Sequence, residues 1–330
     1  LELLPINFML IKKPEVFHGN HKKKPYFEGW YHKMSLENGK SLVLIPGMYR
    51  SAQINYEIAF LMIYNGISNN FKYLKYSIDS FRCKKNSYHL KLEDSFFSLE
   101  KIILKIDNDD LKMNGEIFCS DLNPWPFKLL EPGCMGWYGY LPTMECFHGI
   151  LSMDHKLKGT LSIDDKKLSF NNGRGYIEKD WGRNFPQNWF WTQGNNFNDS
   201  TLSLSASLAT IPWRSRQFTG FIIGLNTKDR MYRFAPYRNS KIIKATFNYK
   251  KFLIVVKRKN LTLKIESTIG EMCSTLYAPD KKDMVPKVDE YLDSNVSIQL
   301  IEGENILIRD KCSNAALEII GDMKVLLKDL

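Results

Sequence analysis

Hydrophobic and polar residues alternate with a period of two through most of this chain. The clearest run covers residues 201–208, where Leu202, Leu204, Ala206 and Leu208 point one way and Thr201, Ser203, Ser205 and Ser207 the other. Successive side chains of a strand project to opposite faces, so this run predicts a strand with one buried face. Residues 55–63 are apolar on one face through Tyr56, Ile58, Phe60 and Met62, with a mixed second face. Shorter runs predict strands at 41–45, 88–92, 101–106, 160–163, 218–225, 252–257, 261–267, 297–301 and 305–309. Turn signals fall between them at Asn38-Gly39, Asn65-Gly66, Asn172-Gly173 and, more weakly, Asp229-Arg230. A sustained helical stripe with caps is absent, and residues 323–330 fit a short helix or a strand equally well.

Many short antiparallel strands at this spacing imply a barrel or a sandwich, and 330 residues exceed one small barrel, so two such halves are expected. No period of about 20–50 residues repeats, which argues against a solenoid or propeller. Residues 123–142 (NPWPFKLLEPGCMGWYGYLP) hold too much Pro and Gly for a continuous strand. They read as a long ordered loop packed by its own aromatics, of the kind that covers a cavity or carries function.

Composition fits a folded globular chain, with 44% hydrophobic and 25% charged residues. The aromatic share, 13%, suits half-buried pleated surfaces and apolar pockets. The net charge of +10 is spread over scattered lysines, and Lys22-Lys23-Lys24 is the one dense cluster. This reads first as a solvated face, with peripheral contact to an anionic membrane or an acidic ligand as the alternative. No nucleic-acid-binding motif accompanies the charge, so no nucleic-acid partner is expected. The cysteines at 83, 119, 134, 146, 273 and 312 include no Cys-x-x-Cys, which argues against a zinc ribbon or a small disulfide framework. Free thiols point to a reducing compartment. Residues 1–11 carry an apolar patch without a leading basic region or cleavage pattern, and no apolar run approaches the roughly 20 residues of a membrane span. A soluble, cytoplasmic protein is the simplest expectation.

Several chemical signatures are missing: no glycine-rich dinucleotide loop, no phosphate-binding Gly-x-x-x-x-Gly-Lys and no Gly-x-Ser-x-Gly elbow. His18 and His21 form a His-x-x-His without an acidic third ligand, so no metal is expected there. What remains is residues 175–196, GYIEKDWGRNFPQNWFWTQGNN, which hold Trp181, Trp189 and Trp191 interleaved with Glu178, Asp180 and Arg183. On a strand, Tyr176, Glu178 and Asp180 share one face and Ile177, Lys179 and Trp181 the other. A carboxylate row facing inwards would be desolvated and its pKa raised. Facing outwards, the same row would be ordinary surface charge, and Asp180 could clamp Arg183. The residues alone leave the catalytic and structural readings both open.

The stretch Tyr176-Ile-Glu-Lys-Asp-Trp-Gly-Arg-Asn-Phe-Pro186, followed by Trp189-Phe-Trp191 and Asn195-Asn-Phe197, resembles the signature of the tocopherol cyclase family. Phe27-Glu-Gly-Trp-Tyr31 resembles that family's N-terminal Gly-Trp-Tyr block. Asn123-Pro-Trp-Pro126 and Gly136-Trp137 resemble its middle loop, and Cys312-Ser-Asn-Ala-Ala-Leu-Glu318 its C-terminal block. The matches run in the family's order along nearly the whole chain.

The resemblance implies an all-β fold of two lipocalin-like antiparallel β-barrel halves, taken as residues 1–170 and 171–330. Lipocalin-like relatives include carotenoid 1,2-hydratases and some fungal pericyclases. The plant cyclases protonate a prenyl double bond, and a phenol oxygen then traps the cation. That chemistry needs a protonated acid in an apolar site, aromatic faces for a tertiary carbocation and a dry pocket for the tail. It needs no metal and no organic cofactor. Carried over by position, Glu178 takes the family's acidic place, and the hydratases' His and Tyr-x-acid pair correspond to His148 and Tyr176-x-Glu178. Asp180 stands where plant cyclases more often carry Asn, which leaves open whether Glu178 or Asp180 is the acid. Trp30, Trp137, Trp181, Arg183, Trp189, Trp191 and Asn195 are the expected substrate contacts. Their bland alternatives are core packing for the tryptophans, an ion pair for Arg183 and a turn for Asn195. Glu28 could reach the same cavity, though its spacing does not establish it. The expected partner is a hydrophobic, isoprenoid-like small molecule, and the rival function is a lipocalin-like carrier without chemistry.

Overall fold

The computed structural model describes residues 13–20, 22–53, 55–129, 131–213, 216–328 and 330. The apolar stretch at 1–11 and His21 lie outside the described residues. Nearly all regular structure is antiparallel strand, gathered into two sheets.

The first sheet is built from β1 (Tyr26–Ser35), β2 (Ser41–Arg50), β3 (Glu57–Asn65), β4 (Asn70–Ser77), β5 (Phe81–Cys83) and β6 (His89–Leu92), then β7 (Ser95–Ser98), β8 (Lys101–Asn108), β9 (Leu111–Ser120), β10 (Cys146–Ile163), β11 (Lys166–Ser169) and β12 (Arg174–Gly182). Its order is β4-β3-β2-β1-β12-β10-β9-β8-β7-β6-β5, with β11 paired to β10. The chain therefore leaves the sheet after β9 and returns so that β12 inserts between β1 and β10. Leu74 and Tyr76 from one edge strand and Phe81 and Cys83 from the other pack against one core with Trp30, Leu44, Leu104, Ile177 and Trp181. A single sheet whose two edges share a core has curled into a barrel.

The second sheet comprises β13 (Trp189–Gly194), β14 (Ser203–Trp213), β15 (Arg216–Asn226), β16 (Met231–Phe234), β17 (Lys241–Asn248), β18 (Lys251–Arg258), β19 (Leu261–Thr268), β20 (Cys273–Pro279), β21 (Met284–Glu302) and β22 (Asn305–Ile320). Its order is β16-β15-β14-β13-β22-β21-β19-β18-β17, with β20 paired to β21. Its own core includes Phe190, Leu204, Leu208, Phe252, Ile265 and Leu317. The predicted alternation at 201–208 buries Leu202, Leu204, Ala206 and Leu208.

The chain divides into two compact units, one running through Phe185 with Tyr277–Pro286 added, the other holding Pro186–Leu276 and Lys287–Leu330. The division falls later than the expected 170/171 because β12 hydrogen-bonds β1 and β10 of the first sheet. The Asn172-Gly173 turn joins two strands of that sheet rather than two units. Tyr277–Pro286 belongs to the first unit through backbone and side-chain contacts, among them the Ala52 N–H donating to Lys281 O at 3.0 Å. The Tyr277 ring stacks on Tyr73 at 4.2 Å, and Tyr56 donates to Asp283 at 2.8 Å.

Each predicted strand coincides with an observed one, though several are fragments: 160–163 closes the 18-residue β10, and 297–301 lies inside the 19-residue β21. The tail resolves as helix α1 (Met323–Leu327), because the Asp322 carboxylate caps it by accepting from the Lys324 and Val325 backbone N–H groups. Among the described residues no helix is long and apolar enough to cross a membrane.

Candidate active site

Strand β12 is the centre of the first sheet and is buried on both faces. Pairing in register with β1 puts Glu28 opposite Trp181, Trp30 opposite Lys179 and Tyr31 opposite Glu178. Ile177 and Trp181 belong to the barrel core, so Tyr176, Glu178 and Asp180 project from the opposite face. That outward face is not ordinary surface. Tyr176 is fully buried and Glu178 is 5% exposed.

Four of the residues singled out in the sequence come together here. His148 lies opposite Asp180 in the β10–β12 register, and its Nδ1 is 2.9 Å from Asp180 Oδ1. The other ring nitrogen, Nε2, is 3.6 Å from Glu178 Oε2. Tyr176 donates its hydroxyl to that same Glu178 oxygen at 2.5 Å. The row thus reads Tyr176, Glu178, His148, Asp180. Burial works against a charged imidazolium, but the carboxylates of Asp180 and Glu178 and the hydrogen bond from Asp180 outweigh it and lift the His148 pKa to about 9. The Glu178 side chain is 7% exposed and that of Asp180 26%, so Asp180 is the more solvated end. Among the described residues, His148, Glu178 and Asp180 are also the group able to hold a metal ion, with ligand atoms all within 4.8 Å of one another.

The barrel-facing side of β12 carries a second ionic feature that the sequence did not reveal. The Lys179 ammonium is fully buried, 2.5 Å from the equally buried Glu28 carboxylate. It also donates to the carbonyl oxygens of Pro14, at 3.0 Å, and Val16. Indole rings flank it, with Trp30 at 4.6 Å and Trp181 at 4.9 Å from the nitrogen. Glu28 in turn accepts from Tyr26 at 2.6 Å and from the His18 backbone N–H at 2.9 and 3.0 Å. Burial pulls the Lys179 pKa down, while Glu28 opposes the shift. Glu28 is therefore committed to Lys179 on the barrel side and does not join the His148 cluster.

The loop at 123–142 covers an otherwise unpaired edge. Residues 156–163 of β10 pair with β9, but among the described residues 146–155 have only β12 as a strand neighbour. The loop supplies the missing partners: Met153 N–H donates to Asn123 O at 2.7 Å, and the Cys134 thiol donates to His148 O at 3.1 Å. Burial, first, and then the nearby Glu178 and Asp180 carboxylates push the Cys134 thiol well up, keeping it neutral. Between loop and barrel mouth lies a cavity of about 380 Å³ lined by Pro124, Trp125, Phe127, Met135, Phe147, His148 and Trp181, with Pro14 and Glu15 at one end. It is predominantly apolar, and His148 joins it to the acid row.

The remaining expected contacts distribute differently. Trp30 is completely buried, stacked on Tyr88 at 4.8 Å with its N–H bonded to Glu15 O, and is a core residue. Trp181 stacks on Phe147 at 5.7 Å and contributes both to the core and to the cavity wall. Trp137 is exposed on the loop, stacked on Tyr138. Arg183 is exposed beyond the end of β12, and the partner of Asp180 is His148 rather than Arg183. Trp189, Trp191 and Asn195 are buried in the second unit, where Trp189 donates to Glu318 at 2.6 Å.

The fold and this cluster define an all-β, lipocalin-like chain with a half-buried histidine set between carboxylates in its first unit. The chain belongs to the tocopherol cyclase-like family, whose model matches residues 121–321 and so takes in both the loop and β12. Among curated proteins it is similar to a probable chloroplastic tocopherol cyclase of Oryza sativa subsp. japonica, at 26% identity over 197 residues, 56% of this chain and 42% of the relative. The chloroplastic tocopherol cyclase of Zea mays is 27% identical over 199 residues, 56% of this chain and 41% of that protein. The chain thus spans about two fifths of the length of these relatives. Among solved structures, CghA with Sch210972 aligns with a TM-score of 0.56 at 8% identity, over 90% of this chain and 89% of that one. Kievitone hydratase from Nectria haematococca aligns at 0.51 with 12% identity, over 97% and 94%. At such identities the likeness establishes the fold alone.

Proposed function

We propose that this chain is a tocopherol cyclase-like enzyme that cyclises, hydrates or isomerises a hydrophobic prenylated substrate by acid catalysis. The observation that carries the reading is the row Tyr176, Glu178, His148, Asp180, buried at its Tyr176–Glu178 end and half-buried at His148 and Asp180, beside an apolar aromatic cavity. In this account Glu178, the less exposed carboxyl, delivers the proton to the prenyl double bond, and Tyr176 orients it. His148 returns a proton to Glu178 after turnover, with Asp180 fixing the ring through Nδ1. Protonation leaves a tertiary carbocation, which the faces of Trp181, Phe147 and Trp125 stabilise. Capture by a substrate hydroxyl closes a ring, capture by water hydrates the bond, and loss of a neighbouring proton isomerises it. Each outcome returns one proton, so no oxidant or reductant enters. The net charge of +10 supports peripheral contact with an anionic membrane surface, where such a substrate resides.

A carrier of hydrophobic small molecules would use the same cavity but has no use for an ionisable row beside it, because desolvating those groups costs stability. The test is mass-spectrometric identification of lipids that co-purify with the chain, followed by incubation of each with wild type and Glu178→Gln. Conversion by wild type and not by the variant supports the enzyme. Release of every such lipid unchanged by wild type supports the carrier.

A further inference from the structure

One separation in the His148 cluster is too long for a hydrogen bond and well suited to another contact. Nε2 of His148 stands 3.6 Å from Glu178 Oε2, and this buried ring nitrogen has no hydrogen-bond partner among the described residues. A zinc-class divalent ion binds an imidazole nitrogen and a carboxylate oxygen at about 2.0–2.2 Å each, so at a tetrahedral angle those two atoms stand about 3.4 Å apart. The observed gap needs that angle opened only to about 120°.

The far side of the ring has the matching arrangement. Nδ1 lies 2.9 Å from Asp180 Oδ1, the carboxylate contact that holds metal-bound histidines with the N–H on one nitrogen and the lone pair on the other. The ligand atoms of His148, Glu178 and Asp180 all fall within 4.8 Å. The donor set of one imidazole with carboxylates suits zinc, cobalt or manganese rather than calcium or magnesium.

We propose that His148, Glu178 and Asp180 form a binding site for a divalent transition-metal ion of the zinc class, with His148 Nε2 and the Glu178 carboxylate as protein ligands and Asp180 holding the ring from behind. The proposal stands on this geometry and does not rest on the acid-catalysed reading, although the residues are shared. An ion on Nε2 and Glu178 occupies the places where that reading puts the proton, so its occupancy silences the acid reaction.

The direct test is a titration of the full chain, stripped by chelator, with Zn²⁺ and separately with Co²⁺, using equilibrium dialysis with elemental analysis and the visible spectrum of bound Co²⁺. The expected result is one saturable ion per chain. Affinity should fall at least tenfold in His148→Ala and in Glu178→Gln, and by about 10–100-fold in Asp180→Asn. His89→Ala, on β6, should bind as wild type does. Circular dichroism verifies folding, and the near-isosteric Glu178→Gln and Asp180→Asn decide the matter if His148→Ala unfolds. Absence of saturable binding below millimolar metal overturns the proposal, as does binding that Glu178→Gln and Asp180→Asn leave unchanged. No substrate enters the titration, so its failure leaves the proposed reaction standing, and failure of the reaction leaves the titration valid.

Discussion

Asp180 faces His148 directly across β12 and β10, and their contact at 2.9 Å runs through Nδ1, leaving Nε2 turned towards Glu178. This relationship separates the roles of two carboxylates that share one strand face. Asp180 is tied to the ring and is the more exposed of the two, whereas Glu178 is buried and hydrogen-bonded by Tyr176. In the proposed reaction the two residues therefore differ in what their loss costs. Glu178→Gln removes the proton donor and lowers the rate by about 10²–10⁴-fold, the range of general acid catalysis. Asp180→Asn keeps the shape of the site while loosening control of the ring, and its loss should be smaller, about tenfold. Steady-state rates of the two variants on one substrate check the order, and an Asp180→Asn defect larger than that of Glu178→Gln would reverse the assignment.

The Lys179–Glu28 pair predicts a stability effect that is separate from catalysis. Both groups are fully buried, so Lys179→Met leaves the Glu28 carboxylate uncompensated and destabilises the first unit by about 3–5 kcal/mol. Adding Glu28→Gln removes the stranded charge, and the double variant should regain part of that loss. Chemical denaturation of the three proteins measures this coupling, and strictly additive effects would show that the pair is not a unit.

Acid sensitivity follows from two buried histidines inside the first barrel. Burial lowers the His32 pKa to about 3, with His155 adding to the shift, and burial likewise lowers His155 to about 3. His32 faces the Tyr88 hydroxyl at 2.8 Å, and His155 faces the Ser152 hydroxyl at 3.1 Å. Both rings are neutral in the fold, while in the unfolded chain they take up protons near pH 6.5. Their contribution is fully present above that pH and is lost progressively as pH falls from about 6.5 towards 3, by up to about 1.4 kcal/mol per pH unit for each ring. Denaturation midpoints at pH 7.5, 6 and 5 should decline accordingly. A conservative His155→Asn substitution should flatten the decline, and an unchanged slope would remove His155 from the account.

The all-β architecture was legible because strands with one apolar face and one hydroxyl face print their alternation into the sequence, as at 201–208, where Ser203 and Ser205 are buried along with the apolar face. Strand β1 escaped notice because Glu28, Trp30 and His32 on one face and Phe27, Tyr31 and Lys33 on the other are all buried, which erases the alternation. The same loss of contrast affects β12. Period two correctly groups Tyr176 with Glu178 and Asp180, but it cannot tell which face meets the barrel core. That depends on pairing with β1, far away in sequence. The expectation that outward acids are ordinary surface charge failed for a related reason: the face turned from the barrel is itself covered. Lys179 was invisible as an interior cation because its partners, Glu28 and the carbonyls of Pro14 and Val16, come from the other end of the unit. By contrast, Asp322 at the start of α1 is a capping residue legible in the sequence, and it favours a helix over a strand there.

Conversion in D₂O reads out proton delivery from Glu178 to a prenyl double bond. A short-chain prenylated phenol serves as substrate, with wild type and Glu178→Gln compared by mass spectrometry. Wild type should give a product with one carbon-bound deuterium, and the variant no product above background. Product formed by wild type without carbon-bound deuterium, or equal deuterated product from Glu178→Gln, would contradict proton delivery from Glu178.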